Sequence, residues 1–109
     1  MSGFVQVIEW SSSRIDEVQA LQDEWRERFP VMGPERITVT QRHGEPGRYT
    51  TIVEFESYEA AMRNSADPAT SEFADRMAAL CDGPPVFHDL DVVRREVRTP
   101  LQRGTMVDA

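Results

Sequence analysis

The stretch Phe4-Val5-Gln6-Val7-Ile8-Glu9-Trp10 reads as a strand that is apolar on both sides. Successive strand side chains point to opposite faces, so Phe4, Ile8 and Trp10 share one face while Val5 and Val7 share the other. A later strand repeats the demand, setting Ile52 against Tyr49, Val53 and Phe55. Leaving four such side chains in water forfeits roughly 1.5–3 kcal/mol each. Whatever this chain folds into, its sheet must be covered twice.

The rest of the pattern supplies one cover. Ser11-Ser12-Ser13 offers an N-cap, with Ser13 and Asp16 at the spacing of a capping box. Ile15, Val18, Leu21, Trp25 and Phe29 follow at helical spacing, and Pro30 stops that helix ahead of a loop over Val31 to Glu35. Ile37 to Gln41 and Tyr49 to Glu56 read as strands of a hairpin, with Pro46-Gly47 at the centre of a type II turn. Ser57 caps a second helix carrying Tyr58, Ala61 and Met62. That helix breaks near Ser65-Asp67, because Asp67 is a good N-cap and Pro68 a good first helical residue. The resumed helix turns Phe73, Met77, Leu80 and Cys81 inward. Gly83 is predicted to end it in the left-handed conformation, Pro84-Pro85 prevents continuation, and Val86 to Val97 forms the last strand. The order β-α-β-β-α-β predicts an α+β, ferredoxin-like fold: a four-stranded antiparallel sheet with two helices on one face. One domain spans residues 1–98, and residues 99–109 form a C-terminal tail without a core pattern. For the second face, the least costly cover is another copy of the same sheet, so a homodimer is expected.

Composition narrows the classes. Among 109 residues, 39% are apolar, which suits a soluble globular domain. No stretch has the ~20 apolar residues of a membrane helix. No basic start followed by an apolar run marks a signal peptide, and the reading is cytoplasmic and free of membrane. The net charge of −7 argues against a nucleic-acid partner, which needs a positive footprint. All twelve basic residues are arginine. The one basic spot, Arg94-Arg95-Glu96-Val97-Arg98, reads as a solvated strand edge. Cys81 is the single cysteine, so no intrachain disulfide forms, and it sits in an apolar run as a small packing residue.

These features together resemble the dimeric α/β barrel proteins of the antibiotic-biosynthesis-monooxygenase type. The resemblance covers about residues 4–97 and rests on element order, the strand with two apolar faces and the broken second helix. In that family the second helix often reads His, two spacer residues, Ser-Pro, an aromatic and an amphipathic run. Here the corresponding stretch is Asn64-Ser65-Ala66-Asp67-Pro68, then Phe73 and the run through Leu80. The family includes cofactor-free monooxygenases acting on polycyclic phenols, haem-degrading enzymes and polyketide cyclases, as well as members without known activity. Its pockets usually lie between sheet and helices.

The departures decide among these chemistries. Haem degradation in this family implies an axial histidine where this chain has Asn64, a poor iron ligand. His43 begins the hairpin turn and reads as solvated. His88 lies on the strand face opposite Asp89 and Asp91, so neither histidine gathers three convergent ligands, and no metal site is expected. Cofactor-free oxygenation needs no cofactor: a phenol or enol is deprotonated and its carbanion meets O2, while the protein binds an apolar polycycle, steadies an oxyanion and excludes water. Asn64 is the candidate donor, with Arg63 or Tyr49 beside it and Trp10, Trp25, Met62 and Phe73 as candidate wall. Each has a plainer role: Asn64 as a helix end, Trp25 and Tyr58 as packing, Glu54 and Glu56 as a solvated strand end. No nucleophilic triad, phosphate loop or dinucleotide fingerprint is present. The sequence expects a small-molecule-binding barrel dimer, a cofactor-independent monooxygenase or cyclase on an aromatic or polyketide-like substrate. The alternative is a non-catalytic ligand-binding or accessory dimer on the same scaffold.

Overall fold

The computed structural model of the chain describes residues 3–28 and 33–98. The order of elements is β1 (Phe4–Ser11), α1 (Ile15–Arg28), β2 (Arg36–Gln41), β3 (Arg48–Phe55), α2 (Tyr58–Ala66), α3 (Pro68–Ala79) and β4 (Val86–Asp91). The strands pair antiparallel in the order β2-β3-β1-β4. This is the ferredoxin-like arrangement, with α2 and α3 as the two halves of the interrupted second helix. No helix among the described residues is long and apolar enough to cross a membrane.

Register places the core. Phe4 stands opposite Phe55, and Trp10 opposite Tyr49, so the inward residues of β1 and β3 line one face. On it, Phe4, Val53 and Phe55 pack with Ala61 of α2, and Met62 lies against them. At the other end of the same face, Trp10 and Tyr49 pack with Val18 of α1, flanked by Met77 and Leu80 from the α3 end. Half-buried Ile8 touches both clusters. The opposite face carries Val5, Val7 and Ile52, half-buried, with Val86 and Leu90 at 53% and 46% exposure. The double-sided apolar pattern of the first strand is therefore real, and helices cover one side of it.

The local signals act mostly as the sequence implies. Ser57 Oγ accepts from the Ala60 backbone N–H (3.1 Å) and starts α2. Asp67 belongs to both sides of the break: its N–H donates to the Asn64 carbonyl (3.2 Å), and its carboxylate accepts from the Ala69 N–H (2.8 Å). Pro68 opens α3, where its missing N–H costs nothing. In the hairpin, Glu45 N–H donates to Arg42 O and Arg48 N–H to Glu45 O, two successive turns. Gly44 and Gly47 hold their second central positions at φ +78° and +93°, conformations a side chain would strain.

Four expectations change. Asn64 does not end its helix: α2 continues to Ala66, and no residue other than glycine among those described has positive φ. Gly83 does have positive φ (+103°), but α3 stops earlier, at Ala79 with Leu80 as its cap. The hydroxyl at the α1 entrance is that of Ser12, not Ser13; it accepts from the Arg14 N–H at 2.9 Å, while Ser13 is exposed. The last strand ends at Asp91 rather than Val97, because Asp91 pairs with Phe4, the first residue of β1. Among the described residues one more bond, Val92 N–H to Gly3 O, follows it, and Arg94 to Arg98 lie outside the sheet. Phe29, Pro30, the first two residues of the Val31–Glu35 loop and the 99–109 tail fall outside the described residues.

Candidate functional site

The most built part of the molecule is the end of the sheet where β1 meets α1. Ser12 is almost fully buried and joins three elements. Its N–H donates to Gly47 O in the hairpin (3.0 Å), its Oγ donates to Leu80 O at the end of α3 (2.6 Å), and the same Oγ accepts from Arg14 N–H. Next to it Asp82 N–H donates to Ser11 O (2.7 Å). Behind this knot Trp10 stacks on Tyr49, ring centres 4.5 Å apart. The Trp10 indole N–H donates to Thr51 Oγ1 (2.8 Å), which satisfies both polar groups inside the layer.

Two clefts open here. One, of about 500 Å³, is lined by Ser11 to Ser13, Ile15, Pro46, Gly47, Arg48, Tyr49 and Asp82. A smaller one, of about 190 Å³, has Trp10 and Tyr49 in its wall and Glu9, Arg42, Arg48 and Asp82 among its polar lining. Both are open to solvent. Of the candidates named from sequence, the structure brings Trp10 and Tyr49 together and places them here.

The others stand elsewhere. Asn64, half-buried, reaches across the helix break: its Oδ1 accepts from Thr70 Oγ1 (3.5 Å) and lies 3.2 Å from where a side chain on Gly33 would begin. Its amide N–H groups make no hydrogen bond among the described residues. Trp25 and Phe73 meet where α1 crosses α3, ring centres 5.5 Å apart, with the guanidinium groups of Arg28 and Arg76 over the indole at 4.8 and 5.6 Å. Arg76 also binds Glu24 through two hydrogen bonds of 2.7 and 3.2 Å. These bonds hold the Glu24 carboxyl below its usual range. This is a helix-to-helix clasp. Met62 belongs to the Phe4 cluster, and Arg63 is exposed on α2. Tyr58 touches Phe4 edge-on at 5.4 Å.

The titratable groups complete the inventory. His88 and Glu9 meet at 2.7 Å on the face without helices. On the helix face Gln6 donates to Asp89 (3.0 Å), so His88 and Asp89 point apart as the strand alternation requires. Glu54 is held by Arg36 and Arg95. Burial, with Asp82 adding to it, pushes the Cys81 thiol up, away from the thiolate that nucleophilic chemistry needs. Among the described residues no three His, Cys, Asp or Glu side chains converge as metal ligands. The arrangement offers aromatic surface and neutral donors. Sequence reasoning missed Ser12 and Thr51. Thr51 was legible in principle, a polar residue at inward parity between Tyr49 and Val53; the partners of Ser12 are too distant in sequence to foresee.

Comparison with known proteins bears on the fold. No family model matches the chain, and no curated protein matches it by sequence. Solved structures do. SnoaB from Streptomyces nogalater, a cofactor-independent oxygenase, in a variant with one asparagine replaced by alanine, superposes with a TM-score of 0.74 at 15% identity, over 87% of this chain and 97% of that one. A putative antibiotic biosynthesis monooxygenase from Deinococcus radiodurans gives 0.70 at 12% identity, over 88% and 98%. Another from Bordetella bronchiseptica gives 0.70 at 17%, over 86% and 100%. The chain has the ferredoxin-like fold of structures named as antibiotic biosynthesis monooxygenases.

Proposed function

We propose that the protein is a cytoplasmic homodimer of the dimeric α/β barrel type, joined through the sheet face that bears Val5, Val7, Ile52, Val86 and Leu90, and that each subunit binds a small aromatic or polyketide-like molecule. The activity it fits best is cofactor-independent oxygenation. In a substrate whose methylene is flanked by aromatic rings, loss of one proton leaves a carbanion, and O2 adds to that carbon. Protonation gives a hydroperoxide, which sheds water to leave a ketone. Each turnover consumes one O2, with one oxygen atom ending in the ketone and the other in water. The substrate supplies all the electrons once its acidic proton is lost. The protein has to bind the polycycle, steady the oxyanion and keep water out.

The observation that carries this reading is the Asn64 side chain. It is half-buried at the helix break, oriented by Thr70, with its N–H donors unengaged among the described residues. A neutral, fixed donor of this kind stabilises an oxyanion without trapping the proton. The non-catalytic reading draws support from a different place: the open clefts beside Trp10 and Tyr49 are not lined by Asn64, and binding there would need no chemistry.

Oxygen uptake with a panel of polycyclic phenols separates the two. Catalysed, saturable uptake is expected, and in Asn64→Ala a kcat lower by on the order of 10²–10³-fold. Phenol binding without uptake supports the accessory reading. An unchanged rate in Asn64→Ala removes that residue from the chemistry.

A further inference from the structure

The oxygenation proposed above removes a proton from carbon, and Asn64, a neutral amide, cannot accept it. Strand alternation finds a group that can. The helix-side residues of β1, β2 and β3 include no carboxylate. β4 alone supplies two, Asp89 opposite Gln6 and Asp91 opposite Phe4. Asp89 is the one held in place: the amide of half-buried Gln6 donates to its Oδ1 at 3.0 Å.

The surroundings suit an aromatic substrate. β3 and β4 run parallel with β1 between them, so the helical crossover that joins them, α2 with α3, passes above β1. Yet α3 fully buries none of its residues. On the sheet below, Ile8 is only half-buried, and Phe87, opposite it on β4, is 53% exposed. An apolar floor therefore stays open beside Asp89. The oxyanion donor stands over the same end of the sheet. Ala61 of α2 packs on Phe4, two residues from Gln6 along the same face, and Asn64 follows Ala61 by three, on the same side of the helix.

We infer that Asp89 is the catalytic base of this site, positioned by Gln6, and that it acts on a methylene between aromatic rings that lie on Ile8 and Phe87. The C–H bond breaks and an O–H bond forms on Asp89. The electron pair stays with the carbon, which is oxidised as it bonds to O2. The peroxide anion so formed takes the proton back and restores the carboxylate. The inference rests on the oxygenase reading above.

The test uses the full chain and anthrone, a tricyclic ketone whose methylene lies between two aromatic rings. Two readouts are followed: O2 uptake in air, and exchange of the methylene hydrogens in D2O without O2, by proton NMR. The wild type is expected to speed both above buffer. In Asp89→Asn, with an unchanged circular dichroism spectrum, exchange and the kcat of uptake should fall on the order of 10²–10⁴-fold with KM little changed. Added acetate should restore part of the exchange rate in Asp89→Ala, a rescue that a merely structural role would not give. Gln6→Ala, which frees the carboxylate, should lower kcat by less. Uptake without exchange above buffer, or an Asp89→Asn variant that matches the wild type, overturns the base alone. Exchange without uptake keeps the base and overturns the oxygenase reading. A wild type that speeds neither overturns both.

Discussion

The two faces of the sheet both carry apolar residues of the central strands and meet different fates. On one, Phe4, Trp10, Tyr49, Val53 and Phe55 lie under the helices and are almost wholly buried. On the other, Val5, Val7 and Ile52 are half-buried at best and Val86 and Leu90 stay open. The polar groups differ in the same way. The helix face holds its polar atoms in closed bonds, Trp10 to Thr51 and Ser12 to Leu80. The open face instead carries a hydrogen bond between His88 and Glu9 and ion pairs of Glu54 with two arginines. One face is finished within the chain; the other is apolar at its centre and charged at its rim, as a surface that meets a partner is.

The largest expected effect is on the finished face. Phe55→Ala removes a buried ring and leaves a cavity, and should cost about 3–5 kcal/mol in denaturant unfolding, independent of protein concentration. Ile52→Ala, three residues earlier and on the other face, sharpens the comparison. If that face is covered by a second copy, it should cost about 2–5 kcal/mol and make the melting temperature depend on concentration. A small, concentration-independent loss would break the symmetry argued here. Ser12→Ala comes next: it strands the Leu80 carbonyl and the Arg14 N–H, and about 1–3 kcal/mol of stability should go, with hydrogen exchange rising at both the α1 start and the α3 end. The smallest effect belongs to the exposed clasp between α1 and α3. Because Arg76 holds the Glu24 carboxyl below its usual range, the pair stabilises the fold above ordinary carboxylate pH and loses that contribution as pH falls through the lowered value. In Glu24→Gln the acid limb of the stability–pH profile should flatten, and added salt should mimic the change.

What was legible in the sequence follows the range of the interaction. Ser57, Asp67-Pro68 and Pro46-Gly47 act on backbone within three residues of themselves, and each does what its chemistry implies. The alternation in Phe4–Trp10 reports faces correctly because strand geometry is also local. The end of β4 was not legible, since it depends on where β1, some eighty residues earlier, begins. Gly83 looked like a cap but lies beyond the end of α3. In the site, the Trp10–Tyr49 stack required a register that no local signal gives. Ser12 bonds to a carbonyl 68 positions away. The residues Trp25 and Phe73 are aromatic at the right spacing, yet they close two helices on each other.

The central claim is that the helix-free face is completed by a second copy of the chain. Native mass spectrometry of the purified protein, repeated after denaturation, tests it most directly. A species of twice the chain mass is expected, with any bound aromatic or polyketide-like molecule released on denaturation. A bare dimer keeps the covered face and shifts the function towards the accessory reading. A monomer of the chain mass alone, at concentrations where Val5, Val7 and Ile52 should find a partner, contradicts it.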